Sequence, residues 1–138
     1  MRKNTLFLLL LVSACAGPKL LNEKSGYLNG TWKPVSLEIN GNPLPKAAFA
    51  TQELVLKDST YQFTAESVDK GIARYANGKM DLYGRDGVNK GKHFTCIYKY
   101  NTDTLTVCYN LAGSGYPEDF STKGKPMYFL AVFAKTKQ

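Results

Sequence analysis

Residues 30–39 read Gly-Thr-Trp-Lys-Pro-Val-Ser-Leu-Glu-Ile, and they have the pattern of a first β-strand. Its second half alternates apolar with polar side chains, a period of two that is typical of a β-strand with one buried face. Trp32 falls on the opposite parity, and Pro34 stands between the two phases. Because proline inside a sheet is confined to edges and bulges, the sequence predicts a bulge or bend at Lys33-Pro34 that turns Trp32 back toward the core. The apolar residues of the second half are Val35, Leu37 and Ile39.

The same alternation recurs along the chain at short intervals, with Gly, Asn, Asp and Pro at the breaks. Asn77-Gly78 is the strongest break, because this pair favours the tight turn of a β-hairpin. Met80 and Leu82, which follow it, are predicted to face inward, and residues 45–48 are expected to form one helical turn. The pattern predicts eight strands, at about 30–39, 53–57, 60–66, 71–75, 79–84, 93–100, 104–111 and 127–135.

The last strand predicts that the sheet closes on itself. Residues 127–134 are apolar on both faces, which suits a strand with a neighbour on each side. Short connections favour antiparallel pairing of sequential strands, and pairing of the last strand with the first would remove both sheet edges. The predicted fold class is therefore all-β, an eight-stranded antiparallel up-and-down barrel. A two-sheet β-sandwich is the alternative, since its strands would show the same alternation.

The first 15 residues have the pattern of a lipoprotein signal. Arg2 and Lys3 precede an apolar run at 6–12, which is far shorter than the ~20 residues of a membrane-spanning helix. Residues 12–15, Val-Ser-Ala-Cys, resemble the lipobox of bacterial lipoproteins. The resemblance implies cleavage before Cys15 and attachment of fatty acyl chains such as palmitate to that residue. An ordinary secretory signal that happens to be followed by cysteine is the alternative.

These boundaries divide the chain into a signal peptide at 1–14, a lipidated N-terminus and tether at 15–26, and a β-barrel domain at 27–138. As a flexible coil, the tether would span on the order of 18 Å, so the domain would stay close to its membrane. Residues 16–19 contain no acidic side chain, whereas an acidic cluster directs surface display of lipoproteins in some bacterial groups. The resemblance therefore implies a cell-envelope protein, lipid-anchored at the outer membrane and facing the periplasm.

The domain resembles a family of small exported β domains that are regarded as lipocalin-like. The similar segments span most of the chain after residue 15: 28–33, 36–41, 61–65, 90–92, 97–98, 103–108 and 118–121. Gly30-x-Trp32 is also similar to the first-strand motif of lipocalins, in which the tryptophan closes one end of the barrel. Pro34 departs from the apolar residue expected at that position. The resemblance implies a lipocalin-like fold and no particular activity.

Cys96 and Cys108 flank a predicted hairpin turn at 101–104. If Tyr100 faces Leu105, apolar residues match across the two strands, and the two thiols point to opposite faces. A disulfide needs β-carbons about 3.8 Å apart, so this register predicts free thiols. A three-residue loop would instead place the cysteines opposite each other, and an exported compartment would allow the bond.

Composition and motifs argue against several functions. The net charge is +7, but the lysines are scattered, which favours solubility over a nucleic-acid groove. His93 is the sole histidine, and no spacing singles out a carboxylate partner for it among Asp81, Asp86 and Asp103, so no catalytic constellation is predicted. Neither a metal site nor a cofactor site is predicted, because zinc needs three or four ligands and His93 and Cys96 would point to opposite faces.

A binding barrel is the leading functional hypothesis. Eight strands enclose room for side chains or for one small ligand, and the short strands and large rings favour a small cavity or none. The side chains predicted to contact a small apolar ligand are Trp32, Tyr61, Phe63, Tyr98, Tyr100, Tyr109 and Phe129. The alternative is a protein-interaction or inhibitor module that acts through the loop 112–125, where Tyr116, Pro117 and Phe120 are predicted to be exposed.

Overall fold

The computed structural model describes residues 26–137, which form nine strands and two single turns of 3-10 helix. The helical turns are Gly26–Leu28 and Lys46–Ala48, and the second confirms the turn predicted at 45–48. The strands are β1 (Gly30–Ile39), β2 (Asn42–Pro43), β3 (Glu53–Lys57), β4 (Thr60–Thr64), β5 (Val68–Ala76), β6 (Lys79–Asp86), β7 (His93–Asn101), β8 (Thr104–Asn110) and β9 (Tyr128–Lys135).

Eight of these strands close into an antiparallel barrel. Strands β3 to β9 pair in sequence order, β3 also pairs with β1, and β9 pairs with β1 over seven registered positions. The short β2 lies outside the ring and pairs only with the end of β1. The eight-stranded lipocalin-like barrel is therefore confirmed. The sandwich alternative is wrong, because backbone pairing runs unbroken around one ring instead of dividing between two sheets.

Strand β1 carries the predicted bulge. Its register with β9 shifts between Pro34 and Ser36, one residue after the predicted position, and Val35 is the extra residue with 49% of its surface exposed. Trp32 and Leu37 are five residues apart and would face opposite sides of an unbroken strand, but the shift lets both face the interior. The bulge prediction is confirmed, whereas Val35 and Ile39 do not belong to the buried face.

Three strand ends differ from their predicted positions by two residues or more. Strand β4 ends at Thr64 instead of 66, while β5 begins at Val68 instead of 71 and β6 continues to Asp86. The extension of β5 and β6 includes a second register shift between Lys70 and Gly71, which alternation alone does not reveal. The Asn77-Gly78 hairpin is confirmed, with φ of 51° and 73° at its two central residues.

The two ends of the barrel are built differently. At the end where β1 begins, tight turns connect the strands, and the fully buried Trp32 donates a hydrogen bond from Nε1 to the Leu28 carbonyl oxygen at 2.9 Å. Its ring meets Tyr100 edge-on at 6.1 Å, and Lys135 Nζ lies 5.3 Å above it. We call this the closed end. The opposite end carries the longer connections at 40–52, 87–92 and 111–127, and we call it the open end.

Residues 111–127, here called the strap, cross the outer wall of the barrel. Asn110 Nδ2 donates to the Gly115 carbonyl oxygen at 2.9 Å, and the Thr122 hydroxyl accepts from the Gly41 N–H at 2.8 Å. The Thr95 hydroxyl, which points outward from β7, also donates to the Gly115 carbonyl oxygen. The strap is therefore fastened to the wall by polar contacts along its length.

The apolar residues in the middle of the strap are half-buried or buried. The predicted exposure of Tyr116, Pro117 and Phe120 is wrong, since Pro117 is buried and the two rings are half-buried. Thr95 and Cys108 face outward on β7 and β8 and are nevertheless buried. The strap thus covers an outer surface that would face solvent in a bare barrel.

The predicted register of β7 and β8 is confirmed, with Tyr100 opposite Leu105 and Cys96 opposite Tyr109. Both cysteines are buried and free. Cys96 belongs to the interior cluster, whereas Cys108 lies opposite Ile97 on the outer face. Burial raises the pKa of the Cys108 thiol to about 11 and that of Cys96 well above its usual range. Both groups are therefore neutral thiols near neutral pH.

This geometry predicts how the two thiols react. In the folded protein, iodoacetamide should label Cys96 and Cys108 slowly, because each is fully buried and the thiolate is the reactive form. After unfolding without reductant, mass spectrometry should find both thiols fully labelled. Failure of both to react in the unfolded, unreduced chain would reveal a disulfide and contradict the register.

Above the ordinary thiol pKa of 9, the unfolded chain loses the Cys108 proton while the folded chain keeps it up to about pH 11, so stability should fall across that interval.

Candidate functional site

A cavity of about 140 Å³ opens at the open end of the barrel. Its walls are side chains from all eight ring strands, and apolar and aromatic groups predominate. Leu54 and Leu82 are buried aliphatic members. The aromatic members are Tyr61, Phe63, Phe94, Tyr109, Phe129 and Phe133. An apolar cavity of about 150 Å³ is known to stay dry and to accept benzene, so the space suits one small apolar group.

The structure divides the seven predicted ligand-binding residues between the two ends of the barrel. Four of them line the open-end cavity: Tyr61, Phe63, Tyr109 and Phe129. Tyr109 and Phe129 lie opposite each other on β8 and β9, with their ring centroids 5.7 Å apart. Burial raises the pKa of the Tyr109 hydroxyl well above its usual value, so this group is a neutral donor or acceptor.

The other three predicted residues, Trp32, Tyr98 and Tyr100, pack within the closed end and do not line this cavity. The Tyr98 hydroxyl lies 3.0 Å from the Tyr27 hydroxyl, and the Tyr98 ring meets Tyr75 edge-on at 5.9 Å. These rings close the barrel by contact with one another. The buried Tyr75 hydroxyl has no hydrogen-bond partner among residues 26–137, and burial raises its pKa.

One carboxylate borders the cavity. Asp69, at the start of β5, is 5% exposed. Its two oxygens accept hydrogen bonds from the backbone N–H and the side-chain Nδ2 of Asn89, at 3.0 and 2.9 Å. This pair ties the 87–92 loop to the barrel mouth. Burial and the nearby Asp69 charge both raise the pKa of Tyr61. The Asp69 carboxylate therefore contributes a negative potential at this wall of the cavity.

Most of the large exposed apolar side chains lie at the open end of the barrel. Among the described residues, seven large apolar side chains are exposed, and five of these lie on strand ends or loops of the open end. We call these five the rim: Ile39, Val68, Val88, Leu111 and Met127. Clustered exposed apolar groups mark binding surfaces more often than single scattered ones do. Leu111 belongs to the rim and also lines the cavity, so apolar surface is continuous from the interior to the exterior at this residue.

Several cavity residues are missing from the ligand contacts that the sequence predicts. Leu82 and Phe94 could have been predicted, because the alternation of β6 and β7 places both side chains in the interior. Asp69 and Asn89 have no such signal. Asp69 lies outside the predicted strand 71–75, and its partner comes from a loop whose path depends on tertiary contacts.

A second polar cluster lies on the outer wall of β6 and β7. His93 Nε2 is 2.6 Å from Asp81 Oδ1, and the Tyr116 hydroxyl donates to Asp81 Oδ2 at 2.6 Å. The His93 ring also stacks on Tyr83, with centroids 4.3 Å apart and an interplanar angle of 6°. Asp81 is one of the three carboxylates considered from the sequence as possible partners of His93. The contact with Tyr116 is not predictable from the sequence, because the path of the strap brings Tyr116 to Asp81.

We call His93, Asp81 and Tyr116 the outer cluster, and its side chains allow only limited acid–base chemistry. A histidine–carboxylate pair is the geometry of a general base, yet no serine, threonine or cysteine side chain is hydrogen-bonded to His93 among the described residues. Burial and the hydrogen bond to Asp81 raise the pKa of Tyr116. The hydroxyl is therefore held protonated as a donor that fastens the strap to β6.

Within residues 26–137, no three His, Cys, Asp or Glu side chains converge as metal ligands. In the same range, no helix has the length and apolar character needed to span a membrane. Cys15 and the predicted signal and tether lie outside the described residues. No protein-family model, curated protein or solved structure matches the chain.

Proposed function

We propose that this protein is a lipid-anchored, non-catalytic binding protein of the cell envelope, and that its barrel accepts a small apolar group in the open-end cavity. The observation that carries the proposal is an apolar cavity of about 140 Å³ at the end of the barrel that also carries the exposed rim. The N-terminal lipobox supports the envelope location. The anchor would hold the domain by its N-terminal side, so the cavity mouth would point away from the attachment site.

The size of the cavity restricts the guest. Sites that enclose drug-sized ligands have volumes of roughly 300–1,000 Å³, so a 140 Å³ cavity admits one ring, a small fused ring pair such as indole, or a short stretch of alkyl chain. A larger apolar molecule would place one end inside and rest the remainder on the rim. The cavity can therefore hold the apolar end of a guest but cannot enclose a whole bilayer lipid.

The charge at the mouth restricts the guest further. Among the described residues, Asp69 is the one charged residue that lines the cavity, and an anion placed beside a buried carboxylate is repelled. A guest whose inserted end is uncharged is therefore favoured over one that inserts a carboxylate. Tyr61 and Tyr109 supply hydroxyls that can hydrogen-bond to a single polar atom of the guest.

Titration with indole and with benzoate would test this proposal on residues 16–138 produced without the leader. Indole should bind with an affinity in the millimolar to high micromolar range, as expected for a ligand of about nine heavy atoms. It should shift the NMR signals of Leu54 and Leu82, whereas benzoate should leave those signals unchanged. Leu82→Phe, which adds volume inside the cavity, should weaken indole binding about tenfold or more because overpacking removes the free space.

Ile72→Phe is the matched control, because it makes the same kind of enlargement on β5 but faces the outer wall. Its indole affinity should equal that of the unmodified chain, and both variants should keep the NMR dispersion of a folded barrel. If indole does not bind up to its solubility limit, or if Leu82→Phe and Ile72→Phe bind it equally, the cavity is not the binding site.

A further inference from the structure

A second cleft, outside the barrel, lies beside the outer cluster of Asp81 and His93. It has a volume of about 300 Å³ and opens on the outer face of β5 and β6. This cleft is about twice as large as the open-end cavity. The barrel wall separates the two, because Asp81 and Tyr83 point outward from a strand whose Met80 and Leu82 point inward. The chemistry-bearing side chains that line the cleft are Arg74, Lys79, Asp81, Tyr83 and Tyr116.

Two cations of this cleft have no carboxylate partner among residues 26–137. Arg74 is directly opposite Asp81 in the β5–β6 register, yet within the described residues it forms no ion pair with it inside 4.0 Å. The Arg74 guanidinium instead lies 5.4 Å from the Tyr83 ring centroid, and Lys79 Nζ lies 4.8 Å from that of Tyr116. Both oxygens of Asp81 are already engaged by His93 and Tyr116. The carboxylate therefore does not neutralise either cation by direct contact.

The wall around the cleft is positive. The outward positions of β5, β6 and β7 carry five cations and two acids, which are Lys70, Arg74, Lys79, Arg85 and Lys99 against Asp81 and Asp86. Cations that face a concave surface with few acids attract anions, and the attraction is strongest where the walls exclude water. His93 stacks on the Tyr83 ring and Arg74 lies over it, so this ring is already covered. Tyr116, with Lys79 over it, is the ring on which a planar group can stack.

From this arrangement we propose that the cleft binds a small organic anion, a carboxylate or phosphate monoester carried on a planar ring. The anionic group lies between Arg74 and Lys79, and the planar ring lies against Tyr116. Arg74 is suited to the anion because its guanidinium can donate two parallel hydrogen bonds to a carboxylate or phosphate. His93 positions Asp81 and Tyr83 and does not contact the guest.

Titration of the full chain in an uncharged detergent would test the site, with benzoate, phenyl phosphate, inorganic phosphate and neutral benzamide as probes. Benzoate and phenyl phosphate should each shift the NMR signals of Arg74, Tyr83 and Tyr116 and bind more tightly than inorganic phosphate and benzamide. Added salt should weaken both anions, because screening acts on exposed charges. Arg74→Gln combined with Lys79→Gln should reduce their affinity about tenfold or more, since both positive charges that attract the anion are removed.

Lys99→Gln is the matched control. Lys99 is also a cation above an aromatic ring, 4.7 Å from the centroid of Phe120, but it lies outside the cleft. Its loss should leave benzoate binding unchanged, and both variants should keep the NMR dispersion of a folded barrel. Equal binding of benzoate and benzamide would overturn the role of charge, and equal binding of phenyl phosphate and inorganic phosphate would overturn the role of the ring. Equal losses in Lys99→Gln and in the double variant would overturn the location.

Discussion

Replacement of Trp32 by alanine should destabilise the barrel by about 3–5 kcal/mol. The side chain is fully buried at the closed end, so its removal leaves a large cavity there. Removal also takes away the packing partner of Tyr100 and the donor to the Leu28 carbonyl oxygen. Since whole domains have stabilities of about 5–15 kcal/mol, a large fraction of the variant is expected to unfold in mild denaturant.

Urea unfolding would measure this loss, with the change read from the midpoint at a constant slope. Trp32→Phe keeps most of the apolar volume but leaves the Leu28 carbonyl without its donor, so we expect an intermediate loss of about 1–3 kcal/mol. Val35→Ala is the control on the same strand, because Val35 is the exposed bulge residue and should change stability by less than about 0.5 kcal/mol. Equal effects of Trp32→Ala and Val35→Ala would contradict the assignment of the closed end.

Replacement of Cys15 by alanine should abolish lipid attachment. In cells supplied with labelled palmitate, the unmodified protein should carry label and remain with the membranes after extraction at high salt. The Cys15→Ala protein should carry none. A chain anchored by two or more acyl groups is held far more firmly than one held by a single group, because each buried methylene contributes about 0.8 kcal/mol.

Cys108→Ala is the control for this experiment, since it removes a cysteine from the barrel and leaves Cys15 in place. It should be labelled like the unmodified protein. Persistence of the label in Cys15→Ala would show that the acyl group is attached to another residue. Absence of label from the unmodified protein would show that the protein has no palmitate anchor.

The fold is largely predictable because the information is local and repeated. Alternation locates all eight ring strands, and Asn77-Gly78 predicts a hairpin whose φ values agree with the expected turn. Pro34 indicates a bulge because proline cannot donate to the ladder. The unpredicted features, β2 and the register shift after Lys70, depend instead on how separate segments meet.

The functional sites are predictable only in part, for a related reason. Parity assigns Tyr61, Phe63, Tyr109 and Phe129 to the interior, but it does not say at which end of the barrel each lies. Strand tilt and register decide that position, and both follow from pairing across the whole ring. The prediction for the strap differs more from the structure than the prediction for the cavity does. Its sequence predicts that Tyr116 faces solvent, whereas the hydroxyl donates to Asp81 on the outer wall, because the path of a long loop is set by what it meets.

The most direct test of the central claim is a crystal structure of the barrel with indole bound. We expect indole inside the open end, in contact with Leu82, Phe94 and Phe129, with the Asp69–Asn89 hydrogen bonds intact. An interior packed by side chains with no room for the ring, or indole bound only on the outer wall, would contradict it.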